Sequence, residues 1–422
     1  MEFRNLTPFP AMAFDALDQR DQRFHTAVMR LTFDVRDDGT LTLAPVQTPL
    51  VMTDEYHGEL NRSSVKQESD LAPYKPHTDV IVIADAHAPN GRASAHFAVM
   101  LKINGAPTAG LSAAAEGPPI LRKVLIIKGA REWRKRHPLS RALSMFTLPS
   151  WRLTAPQPLA TLPLRYEYAY GGENKVLVTD QAAKRVAKKH RLPDRAPHTS
   201  DADPNDPQEA IAHSACDQNP VGRGFAENWY LHATNTRRMP AAQIEAPSQP
   251  IARFSAPSTP QGLGVVGRAW RPRIGLAGTY DQQWLEQRHP NLPADFDFAY
   301  WNGAPADQQV TPHLSGDETV TLANLSPAGA GAAKDESGNT CLSFSLPGHL
   351  PFVLVRFEDG RIGELAAKLD TLIIDTSRDA SNPAKKTSVV CVWRATVASE
   401  PVVRVLEARM LTRADVAALR EQ

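Results

Sequence analysis

Alternation of hydrophobic and polar residues dominates the first 170 positions of the chain. Residues 27–35 carry apolar side chains at every odd position, which is the period of two expected of a strand. Asp37, Asp38 and Gly39 then supply a hairpin turn. The continuously apolar run at residues 80–84 indicates a strand covered on both faces. Together these patterns predict strands at residues 27–35, 80–84, 97–103, 124–127 and 162–170.

Strand patterns return in the last quarter of the chain, at residues 319–325, 342–346, 352–357, 369–374, 389–397 and 402–406. Helical signals are short and occur at residues 181–190 and 284–288 and after a capping box that runs from Thr412 to Asp415. The Gly/Ala-rich residues 328–339 indicate a flexible loop. We therefore predict a mainly β (α+β) fold, with a large antiparallel sheet or sandwich core, small helical additions and long ordered loops.

Changes of composition divide the chain into three parts. Residues 1–174 form a β-rich N-terminal half. Residues 175–218 join a basic stretch to an acidic, proline-rich stretch and contain too few apolar residues for a core of their own. We interpret them as a charged helical or flexible insertion on the surface. Residues 219–422 combine Gly/Pro/Trp-rich loops with a C-terminal β-rich half, which we expect to pack with residues 1–174 as one unit.

Composition argues against several classes of protein. The 422 residues are 42% hydrophobic and 22% charged, as is ordinary for a folded chain. Because the 47 basic residues are nearly balanced by 46 acidic ones, the chain has no large net positive charge that would attract nucleic acid. No window approaches the roughly 20 apolar residues of a membrane helix, and the N-terminus lacks the pattern of a secretory signal. Three widely spaced cysteines favour neither disulfides nor zinc, so we expect a cytoplasmic protein.

Two strings resemble the motifs of binding sites. Residues 262–267 read G-x-G-x-x-G, but prolines on both sides favour a loop over the strand and helix that a dinucleotide needs. His77 and Asp79 precede a predicted strand that Asp85 and His87 follow, about 20 Å away at about 3.3 Å per residue. The two pairs therefore cannot share one ion. Hydrolase elbows and Walker loops do not occur in the sequence. We predict no catalytic residue, cofactor or metal.

Tryptophan, tyrosine and arginine side chains of the central region are candidates for partner contacts. Trp270, Arg273 and Trp284, with Trp229 and Tyr230, belong to residue types enriched at interface hot spots. The alternative is that the aromatic side chains fill the core. The sequence leaves both interpretations open.

A series of short segments occurs in order along most of the chain, at residues 5–9, 69–80, 88–91, 164–172, 219–225, 277–284, 292–297, 302–309, 369–371 and 393–394. In order and content these segments resemble the domain-of-unknown-function 2169 family of type VI secretion adaptor and chaperone proteins. The resemblance implies a protein that binds a toxin effector and helps load it onto the VgrG–PAAR spike. It supplies no catalytic residues. Residues 175–218 and 328–339 depart from the resemblance and leave partner specificity open.

Ten residues are candidates for a structural motif or a partner contact: Asp70, Lys75, Asp79, Glu167, Asn219, Arg223, Trp270, Arg273, Asp281 and Trp284. A subset of four is expected to form one network of buried charged hydrogen bonds that holds the loops in place, namely Glu167, Arg223, Arg273 and Asp281. Since buried charges need partners, loss of Arg223 would then be strongly destabilising.

Two other functions remain open. One is an enzyme, hydrolase-like, with a site in the central loops that uses Asp281, Asn302 and a histidine. A water-shielded cavity lined by converging carboxylates would favour this alternative. The other is a structural component of the secretion baseplate, for which a symmetric assembly would be expected.

Overall fold

The largest sheet has seven strands in the computed structural model, which describes residues 1–60, 62–106, 117–137, 149–193, 209–329, 331–378, 381–382, 385–412 and 415. Strands are numbered in chain order. In spatial order this sheet contains β2 (Ala11–Leu17), β3 (Arg23–Val35), β27 (Ser388–Ala398), β26 (Lys368–Asp375), β7 (Thr78–Ile83) and β20 (Gln309–Val310), with β4 (Leu41–Leu43) also paired to β3. All pairs are antiparallel except β26 with β7, which run parallel.

Two further sheets complete the framework. The antiparallel six-stranded sheet contains, in spatial order, β19 (Ile244–Glu245), β10 (Pro119–Lys128), β9 (His96–Asn104), β21 (Thr319–Ala323), β23 (Thr340–Ser345) and β22 (Ala333–Lys334). The four-stranded sheet contains β1 (Glu2–Asn5), β28 (Val403–Thr412), β24 (His349–Phe357) and β25 (Ile362–Ala366), with β1 parallel to β28.

Smaller sheets and short helices connect these parts. The small sheets pair β12 (Trp151–Leu153) with β11 (Glu132–Lys135) and β18 (Arg238–Pro240), β13 (Thr161–Pro163) with β8 (Asp85–His87), β14 (Tyr170–Gly171) with β17 (Arg223–Gly224), β15 (Glu173–Leu177) with β16 (Ala210–Ala215), and β5 (Glu55–Tyr56) with β6 (Val65–Gln67). The helices are α1 (Asn228–Thr234) and α2 (Gln282–Gln287), with 3-10 turns at Pro89–Gly91, Tyr166–Tyr168, Gln181–Arg185, Lys188–His190, Arg273–Leu276, Phe298–Trp301 and Ala306–Gln308. None of the helices described is long and apolar enough to cross a membrane.

The main hydrophobic core lies between the three large sheets. The seven-stranded sheet contributes alternate residues such as Met29 and Leu31, the six-stranded sheet contributes Leu101 and Leu322, and the four-stranded sheet contributes Leu406. All five side chains are at most 1% exposed. This arrangement explains the period of two in the sequence, and it confirms the prediction of a mainly β fold with small helical additions.

Three local predictions were wrong. Residues 162–170 form two short strands separated by the 3-10 turn Tyr166–Tyr168, although Leu162 and Leu164 keep their buried alternation. The expected helix at 181–190 is two 3-10 turns, because Val186 and Ala187 between them have extended backbone. The stretch 328–339 contains β22, which pairs with β23.

Residues 175–218 bury more apolar surface than their composition indicates. Val176, Ala183, Val186 and Ala212 form a small core that they share with Ala233 of α1. Trp229 and Tyr230 pack against this core. The acidic stretch of residues 175–218, which includes Asp201, Asp203 and Asp206, lies outside the described residues, as does most of the C-terminal helix predicted from the sequence.

Candidate functional site

One face of the seven-stranded sheet is covered by long loops and the short β5–β6 pair instead of by another large sheet, and we call it the loop-covered face. Alternate residues on the central strands, such as Ile81, Ile373 and Val392, point to this side. Val65 of β6 and Val265 of a separate loop pack against them. The same face also carries charged residues of the sheet, so its covering loops must supply counter-charges.

Arg30 of β3 is held by Asp70 in the first covering loop. Its Nη1 donates to both oxygens of Asp70, at 3.2 and 3.0 Å, and its Nη2 donates to Gln67 at 3.1 Å. Arg394 of β27 donates to the backbone oxygen of Asp70 at 2.7 Å and forms an ion pair with Asp370. These four charged side chains are between 1% and 6% exposed. Charge-assisted hydrogen bonds in such surroundings are strong and directional, so residue 70 joins both arginines to one loop.

Lys75 and Asp79 form a second buried pair beside the first. Nζ of Lys75 donates to Asp79 at 2.8 Å and to the hydroxyl of Thr371 at 3.0 Å. The Asp79 carboxylate also accepts from Nδ2 of Asn302 at 3.0 Å and from the backbone N–H groups of residues 303 and 304 at 2.9 and 3.1 Å. The carboxylate is therefore fully used in fastening the loop at 302–304 to the sheet.

Arg273 fastens the other covering loop. It forms a two-pronged contact with the Glu68 carboxylate, at 2.7 and 2.9 Å, and donates to the carbonyl oxygens of Val266 and Tyr300, both at 2.7 Å. A Cβ atom on Gly303 would lie 2.6 Å from Oε2 of Glu68, so only glycine permits this close approach. The Arg273 side chain is only 3% exposed, as expected of a structural ion pair.

A small cavity lies inside this network. It has a volume of about 20 Å³ and is lined by Glu68, Asp70, Lys75, Asp79, Thr371 and Arg394, among others. A polar space of this size has room for about one water molecule. A shielded cavity with converging carboxylates was expected to favour an enzyme. This cavity does contain carboxylates, but Glu68, Asp70 and Asp79 each already have a cationic partner.

A second rigid element joins residues 166–172 to residues 219–224. Nδ2 of Asn219, which is fully buried, donates to the carbonyl oxygens of Tyr166 and Tyr170, each at 2.9 Å. Gly171 has a φ of 149°, and a Cβ atom on it would lie 2.1 Å from the Asn219 oxygen. Tight backbone contact therefore requires glycine at this point.

Arg223 has neutral hydrogen-bond partners. Its Nε donates to the backbone oxygen of Glu167 at 2.6 Å, and its guanidinium carbon lies 4.4 Å from the ring centre of Tyr168. The Glu167 carboxylate instead accepts from the N–H and the hydroxyl of Ser64, at 2.9 and 2.7 Å. Burial lowers the pKa of Arg223, so the ring and the carbonyl only partly offset the loss of water.

The tryptophans have separate structural roles. Trp270 is 7% exposed and packs edge-on against Tyr166, with ring centres 5.4 Å apart. Asp281 caps α2 by accepting from the backbone N–H of Trp284 at 2.8 Å, and Nε1 of Trp284 donates to the carbonyl of Asn291 at 2.9 Å. Trp270 is thus a core residue, whereas Trp284 belongs to a half-exposed aromatic cluster.

The expected single network of four residues was wrong. Arg273 pairs with Glu68, Arg223 bonds to the backbone of Glu167 and not to its carboxylate, and Asp281 caps an exposed helix. The network that does exist includes residues that we did not select, namely Arg30, Glu68, Asp370 and Arg394. A signal was present in β3, where Arg30 is a charged residue in the middle of the strand, between Val28 and Thr32 on the same face.

Two open grooves flank the element formed by residues 166–172 and 219–224. The first groove has a volume of about 890 Å³, and Tyr170, Cys216, Phe225 and Ile251 are among its lining residues. The second groove, of about 880 Å³, is lined by Val221, Phe225, Tyr230 and Met239, among others. Phe225 lines both grooves and is half-buried.

The three cysteine thiols are held in their protonated form. Burial raises the pKa of all three thiols, Cys216, Cys341 and Cys391, which keeps them protonated. Within the described ranges, no group of three His, Cys, Asp or Glu side chains is placed to hold a metal ion. His77 bonds to Thr311 and Asp79 to Lys75, so the predicted pairs around β7 do not form one site.

The G-x-G-x-x-G string at residues 262–267 lies in a loop, as the sequence predicts. The carbonyl of Leu263 accepts from the N–H of Val82 at 2.9 Å, and its side chain is fully buried in the main core. With neither a strand before it nor a helix after it, the string lacks the elements that hold a pyrophosphate.

A model of the family described as "Uncharacterized protein conserved in bacteria (DUF2169)" matches residues 20–383. The chain belongs to this family. The match to DUF2169 includes Arg30, Asp70, Asp79 and Arg273 of the loop-covered face, whereas Arg394 lies just beyond it. Neither a search of curated proteins nor a search of solved structures found a match.

Proposed function

We propose that this DUF2169 protein is an adaptor of the type VI secretion system that binds a toxin effector and helps load it onto the VgrG–PAAR spike. The proposal combines the resemblance of the sequence segments with one structural observation. Two wide grooves lie side by side along a rigid backbone element, and both are open to a protein segment.

The walls of these grooves are held before any partner arrives. Asn219 joins the two loops through hydrogen bonds to two carbonyl oxygens, and glycines let their backbones touch. A preformed surface loses little conformational entropy when a partner binds, which is an advantage for an adaptor. Phe225 directly follows this element and lines both grooves, so it is our candidate for a residue that contacts the partner.

Four of the ten selected residues fit this function better as supports than as contacts. Asp70, Lys75, Asp79 and Arg273 are at most 7% exposed and hold the loops to the sheet. The loops that these residues fasten thereby keep their shape. The contact surface of a particular effector would then lie on the less constrained groove linings.

Affinity purification of the tagged full-length chain from its native cells tests the proposal. We expect a toxin or a spike subunit to co-purify. A Phe225→Asp variant should weaken recovery of that partner by about tenfold or more, since a buried hot-spot contact contributes about 2 kcal/mol or more. The melting temperature of each variant checks that it remains folded.

Ile362→Asp is the matched control, because Ile362 is 59% exposed on β25 and lines neither groove. It should retain the partner. Repeated recovery of the chain alone at endogenous levels would count against the adaptor function. If folded Phe225→Asp recovers as much partner as the unaltered chain, the contact surface does not include Phe225 and lies outside the grooves.

A further inference from the structure

A separate pocket collects positive charge at the end of β7. It has a volume of about 290 Å³, and its charged lining residues are Lys66, Asp85, Arg165, Arg378 and Lys385, with His57 and Tyr56 beside them. We call it the basic pocket. It lies apart from the two grooves and shares none of their lining residues.

Three of its cations have no ion pair within the described part of the chain. Lys385 donates to Asp375 and to Ser377, at 2.8 and 2.9 Å, and so is compensated. Among the described residues, Lys66, Arg165 and Arg378 form no such contact, and Asp85 is the one carboxylate in the described lining of the pocket. Like charges gathered around one half-open pocket repel each other, and an anion placed between them would reduce that repulsion.

The local electrostatics agree with this excess of positive charge. The pKa of His57 is lowered to about 4 by burial and, next in size, by the charge of Arg165. Lys66 lowers it further, while the carboxylates of Glu167 and Asp375 act in the opposite direction without restoring the usual value. The imidazole therefore stays neutral near pH 7 and can accept or donate a single hydrogen bond.

We propose that the basic pocket binds a small soluble phosphate-bearing anion. Two guanidinium groups, from Arg165 and Arg378, offer the planar paired donors that match phosphate oxygens, and Lys66 adds a third cation. The hydroxyl of Tyr56 and the imidazole of His57 add neutral hydrogen-bonding groups. The volume suits one or two phosphate groups better than a polymer. This inference is independent of the adaptor function.

Calorimetric titration of the full-length chain with inorganic pyrophosphate tests the inference, with ionic strength held constant by chloride. We expect saturable binding to one site. Replacing Arg165 by glutamine removes one charged pair of hydrogen bonds, so Arg165→Gln should weaken binding by about tenfold or more. Arg378→Gln should do the same. Arg122→Gln is the matched control, since Arg122 is exposed on β10 outside the pocket.

Nuclear magnetic resonance of the His57 ring gives a second readout. A bound anion should raise the pKa of His57, and this change should be absent in Arg165→Gln. No saturable heat from pyrophosphate, or equal affinity in the folded Arg165→Gln and Arg378→Gln variants, would overturn the inference. Binding to anionic phospholipid vesicles without binding to pyrophosphate would overturn it as well, because the ligand would then be a membrane surface.

Discussion

The two faces of the seven-stranded sheet are both buried, but one is covered by other sheets and the other by loops. Against the sheets, side chains such as Met29 and Leu31 meet only apolar neighbours in the main core. On the loop-covered face, Arg30 and Arg394 stand beside Val28 and Val392. The charge of Arg30 is met by the loop carboxylate of Asp70, and that of Arg394 by Asp370 of β26.

This difference teaches how long loops can have a fixed shape. The free energy gained by apolar burial is roughly proportional to the buried area and depends little on direction. It therefore suits regular sheets, whose geometry is already set by backbone hydrogen bonds. A loop without regular hydrogen bonding needs directional contacts at defined points, which ion pairs such as Lys75–Asp79 provide. The charged face therefore contributes specificity to the loops, while the apolar face contributes most of the stability.

Breaking one ion pair of the loop-covered face should have the largest effect. Arg394→Ala leaves Asp370 buried without its partner, and we expect the free energy of unfolding to fall by about 3–5 kcal/mol. Urea denaturation measures this change. Arg361→Ala is the control, because its pair with Asp359 is exposed to solvent and should contribute little to stability. A loss for Arg394→Ala as small as that of the control would contradict our view of the face.

Creating a cavity in the main core should lower the free energy of unfolding by a similar or slightly smaller amount. Leu322 is fully buried in β21, and Leu322→Ala should cost about 2–5 kcal/mol through lost burial and the cavity left behind. Limited proteolysis distinguishes the faces. Arg394→Ala should be cleaved first in the covering loops, whereas Leu322→Ala should be cleaved only as the whole protein unfolds. Identical cleavage patterns would remove the distinction between the faces.

Lowering the pH should weaken the loop-covered face in a smaller, graded way. His57 follows β5, and its folded-state pKa of about 4 lies below its unfolded value of 6.5. The unfolded state therefore binds more protons between these values, so the contribution of His57 is complete above about pH 6.5 and is lost as pH falls towards 4. Urea denaturation at several pH values should show a shallower slope for His57→Gln across this window. Parallel curves would argue against the shifted pKa.

Period-two patterning was sufficient to predict strands such as β3 and β9, because their inner faces meet other sheets in regular alternation. The partners on the loop-covered face could not be predicted in this way. Arg394 reaches the carbonyl of Asp70 across 324 positions, and Asp79 reaches Gly303 across 224. No local pattern links such residues.

The candidate site was predicted in part. Asp70, Lys75, Asp79 and Arg273 were selected from the sequence and do hold the loops, but Asp281 and Trp284 lie in a different region. Glu68 was missed because an acidic residue near the surface loops looks solvated until its partner Arg273 is placed beside it. Charged residues in Gly-rich loops thus indicate buried pairs without indicating which residues pair.

The order of strands in the seven-stranded sheet has a consequence for synthesis on the ribosome. Strands β26 and β27 stand between β3 and β7, although they are made long after both. In the nascent chain, β3 and β7 therefore each have one edge without a partner strand until the β26–β27 hairpin has been synthesised. Exposed edges invite association between chains, so we expect the unfinished protein to depend on molecular chaperones during translation.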